Sequence, residues 1–378
     1  MAVLAAGLSS LPLSGLKASA ETAELDLNCK AAYTCDFDTQ TTVYAKNDEA
    51  RLPIASMCKI MTLLLSFEEI EAGRMTYDEQ ICASEHASSM GGSQVFLDTG
   101  LNYRVEELMK SVAVCSANDS CVALSERVAG SEEQFVSKMN ERAAALGAKN
   151  TLFANCTGLP KDPQYSCAKD VALMLRALLR HEKYLEFCAV RLEDFAHPDG
   201  RTIQMTNTNK LIQAYQGCDG GKTGFTNEAG FCLAATAKRG DMRVISVVIG
   251  ADGSKERFKG VSDCFNYCFD HYENKIVLKA GEAIEERIKV TGSKTKETEL
   301  ISKENLCVFQ KKGGDNEYRV EYELPNHVKA PVGAGENVGF ATLFVDGTEV
   351  KRTELLSSCD IQPYTYWEAV REGAQNWN

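Results

Sequence analysis

The stretch Leu52-Pro53-Ile54-Ala55-Ser56-Met57-Cys58-Lys59-Ile60-Met61 is where the chain changes texture. Upstream, Ala31 to Lys46 alternates and carries β-forming residues until Asn47-Asp48 supplies a turn. Downstream, Ile60, Leu63, Leu64, Phe67 and Ile70 recur at helical spacing until Gly73 stops them. Met57, Met61 and Leu65 make that helix apolar nearly all round, so it is expected at the centre of a core. Ser56 and Lys59 stand at its start, and positions i and i+3 share a helix face, so a hydroxyl and an amine point into the same space. A serine becomes a nucleophile when a base takes its proton. A lysine can be that base if burial and a second cation destabilise its ammonium.

By itself the Ser-x-x-Lys spacing carries little weight. It arises about once or twice by chance in a chain this long, and Ser293-Lys294-Thr295-Lys296 is such a case. Two further elements follow in order. Ser116-Ala117-Asn118 falls between helical stretches, where a loop can offer a hydroxyl to the first pair and an amide to a peptide. Lys222-Thr223-Gly224 opens a predicted strand, and such a triplet is expected only about 0.1 times per chain. Gly224 would let a substrate backbone lie against an edge strand and pair with it. Singly these elements read as a helix start, a loop cap and a hairpin edge; together they make one constellation.

Around them the organisation is two-part. Residues 104–146 read as helices broken near Ser116 and at Gly130-Ser131, and Val171 to His181 as another. Residues 221–226, 230–238 and 242–250 read as strands separated by turns, and 256–272 as a closing helix. A strand, then helices, then strands is an α+β pattern, helices packed on an antiparallel sheet. Beyond about residue 276 the texture is all β: Tyr318, Val320, Tyr322 and Leu324 alternate with charged residues, and Asp346-Gly347 sits like a hairpin turn. No clustered catalytic groups occur there. The boundaries expected are 1–20 for a leader, 21–275 for the catalytic domain, 276–360 for a small β-sandwich and 361–378 for a tail.

Charge and cysteines narrow the function classes. The 41 basic and 53 acidic side chains leave a net charge of −12, which argues against nucleic acid as partner. Residues 2–16 are small or apolar and Ala18-Ser19-Ala20 has the form of a leader-peptidase site, so export is expected, although only Lys17 is charged. No later run reaches the ~18 apolar residues that a membrane span needs. The fifteen cysteines are scattered and odd in number, so most read as small core hydrophobes, with one adventitious bridge such as Cys29–Cys35. Cys264, Cys268 and His271 lack a fourth ligand and read as a packed helix face. No metal and no cofactor are expected.

The set S-x-x-K, S-x-N and K-T-G resembles the signatures of penicillin-binding proteins and serine β-lactamases. Leu52 to Ser56, Gly91-Gly92-Ser93-Gln94-Val95-Phe96-Leu97, Ser116 to Asp119, Thr157-Gly158-Leu159 and Asp219 to Gly224 look like the low-molecular-mass D-alanyl-D-alanine carboxypeptidases. The likeness runs from about 29 to 272 and more weakly to about 360. It implies a β-lactamase/transpeptidase-like domain followed by a small β-sandwich. It implies Ser56 as acylated nucleophile, Lys59 as its base and Ser116 as proton relay. Asn118 would bind the substrate amide, Lys222 would hold Ser116 electrostatically, and Thr223 would meet the terminal carboxylate with Arg257 as a second candidate. The backbone N–H groups of Ser56 and Phe225 would form the oxyanion hole. Substrates would be peptidoglycan stem peptides ending in D-Ala-D-Ala, with β-lactam antibiotics as covalent inhibitors.

Two positions depart from that pattern: Gln164 stands where a histidine often precedes Tyr-Ser, and Cys58 fills a slot usually held by threonine. A class A β-lactamase would need a Glu-x-x-Leu-Asn element, absent between Ser116 and Lys222. An endopeptidase or transpeptidase on the same site is poorly separated by sequence. A non-catalytic wall-binding or β-lactam-sensing protein would be expected to lose Lys59 or Ser116. In the tail, Tyr364, Trp367 and Val370 are expected to share a helical face that touches the outer surface of the membrane.

Overall fold

The computed structural model describes residues 25–375; the leader reading of residues 1–20 lies outside them. Five antiparallel strands form the central sheet, in the order Thr42–Lys46, Ala31–Asp36, Met242–Ala251, Gly230–Arg239 and Cys218–Thr226. The stretch from 31 to 46 is thus two strands joined by a turn. Successive side chains of a strand point to opposite faces, and this sheet is covered on both. Ala31, Tyr33, Cys35, Ala234, Ile245 and Val247 face one core; Ala32, Leu233, Ala235, Val244 and Val248 face another. The first core holds the helix Lys59–Glu71, buried at every position from Lys59 to Phe67 as its all-round apolar pattern requires. The second is closed by the helix Ser254–His271 through Val261, Cys264, Phe265 and Cys268.

All helices between Ala55 and Ala214 are inserted between the second and third sheet strands in chain order. The strand Cys218–Thr226 is hydrogen-bonded on one side only, so its other edge is free to face that insertion. The elements carrying Ser56, Ser116 and Lys222 meet there.

The helix Ser254–His271 runs directly into the strand Tyr272–Leu278, which pairs with Leu306–Lys311, so the β region begins at Tyr272. Its main sheet has six strands, among them Tyr318–Glu323, Asn337–Val345 and Thr348–Ser357, around Ile288, Leu300, Leu343 and Leu355. Val345 pairs with Thr348 across Asp346-Gly347, as a hairpin requires. The two parts are joined by Asn274 Nδ2, which donates to Asp36 Oδ1 at 2.7 Å, and by the Arg180–Glu304 ion pair at 2.8 Å.

Two expectations are corrected. Cys29 and Cys35 are both free thiols, as are the other thirteen cysteines. Cys35 faces the core that holds the helix Lys59–Glu71, while Cys29 is half-buried against the core closed by the helix Ser254–His271, so no bridge joins them. Tyr364 lies before the last helix, Tyr366–Gln375, and its hydroxyl accepts from Lys296 Nζ at 2.6 Å, so it shares no helical face with Trp367 and Val370. Tyr366 and Trp367 are instead the exposed aromatics, at 74% and 76%.

Candidate active site

Ser56 lies in a short 3-10 turn, Ala55–Cys58, immediately before the helix that Lys59 begins. Ala55 has φ 48°, a left-handed conformation that is costly for a residue with a Cβ. It persists because the turn is held from two sides by glycines. A Cβ on Gly158 would fall 2.0 Å from the carbonyl oxygen of Ala55, and one on Gly224 would fall 2.7 Å from that of Ile54 and 3.2 Å from the nitrogen of Ser56. Only bare Cα atoms permit that approach. The sequence reading gave Gly224 to a substrate backbone; the space its missing side chain leaves is filled by the protein's own Ile54–Ser56 turn. This glycine docks the nucleophile turn onto the edge strand.

Lys59 Nζ donates to Ser56 Oγ at 2.9 Å and to the Thr157 carbonyl at 2.5 Å. The side chain is fully buried, and that desolvation lowers its pKa. Lys222 is buried too, and burial, with the Lys59 charge as the second cause, pushes its pKa down to about 7. A second cation beside Lys59 is therefore in place. Lys222 Nζ donates to the carbonyl of Thr223 at 3.0 Å and makes no hydrogen bond to Ser116, whose Oγ is buried without a partner. Ser116 has φ 68°, in the short connection between the helices Val105–Val114 and Asn118–Ala129. A strained serine with an unsatisfied buried hydroxyl marks a group held for a bound ligand rather than for stability.

Asn118 starts its helix. Its N–H donates to Ser93 O and its Nδ2 to Gly91 O, both at 2.7 Å, so the Gly91–Leu97 loop is fastened beside it. Asp119 completes the fastening by accepting the N–H groups of Val95 and Leu97 at 3.1 Å. Thr223 Oγ1 donates to Thr208 Oγ1 at 2.8 Å. Phe225 is half exposed, at 51%, and packs tilted against Phe231 with ring centroids 4.4 Å apart. Arg257 lies against Phe231 and Phe258 and donates from one terminal nitrogen to Gly224 O at 3.1 Å, leaving its buried Nε unpartnered. It thus reaches the end of the Lys222-Thr223-Gly224 strand through the carbonyl of Gly224.

Both departures from the resembled pattern have structural uses. Cys58 Sγ donates to the Asn155 carbonyl at 3.3 Å. Gln164 Oε1 accepts the N–H groups of Ala154 and Asn155 at 3.0 Å, and Asn155 Oδ1 accepts that of Gly158 at 2.7 Å. This chain of bonds sets the Thr157 carbonyl that holds Lys59. Asn155 and Thr208 carry no signal at the sequence level, because asparagines and threonines in loops are too common to single out; Asp119 is marked there only as the end of the Ser116 to Asp119 stretch.

A hydroxyl bonded to a buried amine, with a second amine and an unsatisfied hydroxyl nearby, can carry out acyl transfer without metal or cofactor. Fold and site thus define a class, hydrolases with a serine–lysine centre. Residues 17–253 match the D-alanyl-D-alanine carboxypeptidase family and residues 272–363 the penicillin-binding protein 5 C-terminal domain, so the chain belongs to the D-alanyl-D-alanine carboxypeptidase family. D-alanyl-D-alanine carboxypeptidase DacF of Bacillus subtilis (strain 168) is 38% identical over 357 residues, 94% of this chain and 92% of that protein. DacC of Escherichia coli (strain K12), of the same description, is 30% identical, covering 93% and 90%. Penicillin binding protein 5 from Haemophilus influenzae superposes with a TM-score of 0.70 at 27% identity, covering 90% of this chain and 99% of that one.

Proposed function

We propose that this protein is exported and removes the terminal D-alanine from peptidoglycan stem pentapeptides through an acyl-enzyme on Ser56. The observation that carries this reading is the 2.9 Å hydrogen bond between Lys59 Nζ and Ser56 Oγ, made by a fully buried amine. With Lys59 neutral, it takes the Ser56 proton as Oγ attacks the penultimate carbonyl. Negative charge on the carbonyl oxygen is met by the N–H groups of Ser56 and Phe225. Ser116, in the field of Lys222, passes the proton to the leaving amine, the C–N bond breaks and D-alanine departs. Water then hydrolyses the ester.

Asn118 binds the substrate amide, and Thr223 with Arg257 reads the terminal carboxylate through charge-assisted hydrogen bonds. A β-lactam enters the same path and stays as the ester. The domain division at 21–275 and 276–360 belongs to this reading. So does a tail whose exposed Tyr366 and Trp367 rest on the outer face of the membrane, since amphipathic aromatics favour that interface.

The test is mass spectrometry after incubation with N-acetylated Lys-D-Ala-D-Ala, where loss of one alanine is expected. Benzylpenicillin should add its mass to the wild type and not to Ser56→Ala. Labelling that persists in the variant, or maps to Cys58, would remove Ser56 from the mechanism.

A further inference from the structure

The strands Leu192–Ala196 and Thr202–Thr206 form a hairpin that pairs with no other strand among the described residues. Phe195 and Met205 seat it on the core that holds the helix Lys59–Glu71, and most of its other side chains are exposed. Its tip is closed by the His197 N–H, which donates to the Arg201 carbonyl at 2.8 Å. From that tip two side chains reach the loop Gly91–Leu97 and the residue after it. Arg201 Nη2 donates to the Phe96 carbonyl at 3.1 Å, to the carboxylate of Asp98 and to His197 Nδ1 at 3.1 Å. Tyr103 Oη bonds the same histidine nitrogen at 3.1 Å and accepts the Asp98 N–H at 2.9 Å. His197 is buried, edge-on to Tyr103 and Phe195, so it is a fixed seat for the guanidinium.

The residue that Arg201 holds is strained. Phe96 has φ 60°, a left-handed conformation that a Cβ disfavours. Asp119 accepts the N–H groups on either side of it, those of Val95 and Leu97, and Arg201 takes its carbonyl. Strain of this kind persists only where the surroundings over-determine it. The same loop supplies the Ser93 and Gly91 carbonyls that accept the N–H and Nδ2 of Asn118. An amide nitrogen carries two hydrogens, so with one on Gly91 the other is left for a ligand, in a direction that the loop sets.

We infer that Arg201 is a positioning residue of the acyl-transfer reaction: seated against His197, it latches the strained loop at Phe96 and thereby aims the free hydrogen of the Asn118 amide at the substrate. The hairpin is the rigid arm that carries the latch. This rests on the role given to Asn118 in the carboxypeptidase reading, and Arg201 acts only through Phe96 and Asn118.

The experiment compares wild type, Arg201→Met and Arg201→Lys, each with Asn118 intact and with Asn118→Ala, on N-acetylated Lys-D-Ala-D-Ala and benzylpenicillin. Arg201→Met keeps the length and loses the donors. It should lower kcat/KM by about 10- to 100-fold, the cost of a misplaced group, mainly through KM because the amide bond is already made in the Michaelis complex. All three bonds of Arg201 leave from one nitrogen. An ammonium has three donors, so Arg201→Lys should return to within about threefold of wild type. In the Asn118→Ala background Arg201→Met should cost less than about twofold, since the group it aims is gone. Hydrogen exchange reads the loop directly: the amides of Val95, Leu97 and Asn118 should exchange faster in Arg201→Met, and those of the helix Lys59–Glu71 should not. An Arg201→Met variant that acts at wild-type rate overturns the inference, as does a loss of the same size with and without Asn118. Faster exchange throughout the chain also overturns it, because Arg201 would then serve stability alone. A wild type inert to both peptide and penicillin would instead overturn the carboxypeptidase reading, while the exchange rates would still decide the latch.

Discussion

Thr223 Oγ1 donates its proton to Thr208 Oγ1 across 2.8 Å, so the hydroxyl assigned to the substrate carboxylate is already oriented by a neighbour that no sequence motif marks. The bond directs the lone pairs of Thr223, and its proton must turn from Thr208 to serve an anion. A carboxylate is the stronger acceptor, so the exchange favours substrate.

A loss on truncation follows for both threonines, of different size. Thr223→Val removes a hydrogen bond to a charged group, about 1.5–3 kcal/mol or roughly 10- to 150-fold in kcat/KM on a peptide with a free carboxylate. On the amidated peptide the variant should change little, because the interaction is already missing. Thr208→Val should cost only about 2- to 10-fold on the free acid, the range of a neutral hydrogen bond. A double-mutant cycle with acid and amide substrates checks both values. Equal losses on the two substrates would take Thr223 away from the carboxylate.

Gly224→Ala should act on the nucleophile, not on substrate binding. Its Cβ would stand 2.7 Å from the Ile54 carbonyl oxygen and 3.2 Å from the Ser56 nitrogen, so strand and turn must separate. A misplacement of that order costs about 100-fold in acylation, while overpacking destabilises by roughly 1–3 kcal/mol. Acylation by benzylpenicillin followed by stopped-flow, with urea unfolding alongside, measures the two separately. A variant that acylates at wild-type rate would show that the turn is not held by this contact.

The two lysines make the rate depend on pH in a definite direction. Both are buried and depressed, and Lys222 falls to about 7 with the Lys59 charge as its second cause. Neighbouring ammoniums in one dry site lose their first proton as a pair. Acylation should therefore rise with pH as a neutral Lys59 becomes populated, at a lower pH than an exposed lysine would allow. Lys222→Met removes the second cation, which raises the pKa of Lys59, so the rising limb should move to higher pH. Lys222→Arg keeps a permanent charge and should leave the limb in place. Penicillin acylation rates from pH 5 to 10 decide it; an unmoved limb in Lys222→Met would uncouple the pair.

What could be read in the sequence was whatever has a period or a rare spacing. The burial of the helix after Ser56 followed from its all-round apolar pattern, and the sheet strands from their alternation and turns. Ser56 with Lys59 was legible because helical geometry alone joins them. Other features depend on distances between segments far apart in the chain, and a single sequence does not encode these in any local pattern. The docking of the Ile54–Ser56 turn on Gly224, the Thr208 partner of Thr223, and the Asn155–Gln164 chain of bonds behind Lys59 are of that kind. The absent Cys29–Cys35 bridge failed for a related reason: spacing says nothing of which way two side chains point.

Asp36 supplies a test of the joint between the two parts of the chain. It is buried at the end of its strand and accepts from Asn274 at 2.7 Å, from the Thr39 N–H at 2.7 Å and from the Thr39 hydroxyl at 2.8 Å. Burial outweighs these bonds and raises its pKa from 3.8 to about 6. The folded protein therefore holds the Asp36 proton more tightly than the unfolded chain does. Stability from this group is full below about pH 4 and is lost as pH rises through about 6. The shift of about two units makes burying the ionised carboxylate cost ~3 kcal/mol at most, a cost absent in acid and present at pH 8. Asp36→Asn carries no charge to desolvate. Its amide can donate to Asn274 Oδ1, which is buried without a partner, once that side chain turns over. The variant should thus be more stable than wild type at pH 8, by up to ~3 kcal/mol less whatever the Thr39 bonds lose, and no more stable at pH 4. Urea midpoints at the two pH values measure the difference. A stabilisation of the same size at both would mean that Asp36 does not titrate in the folded protein. A loss at pH 8 would mean that the carboxylate's bonds to Thr39 and Asn274 outweigh the cost of burying it.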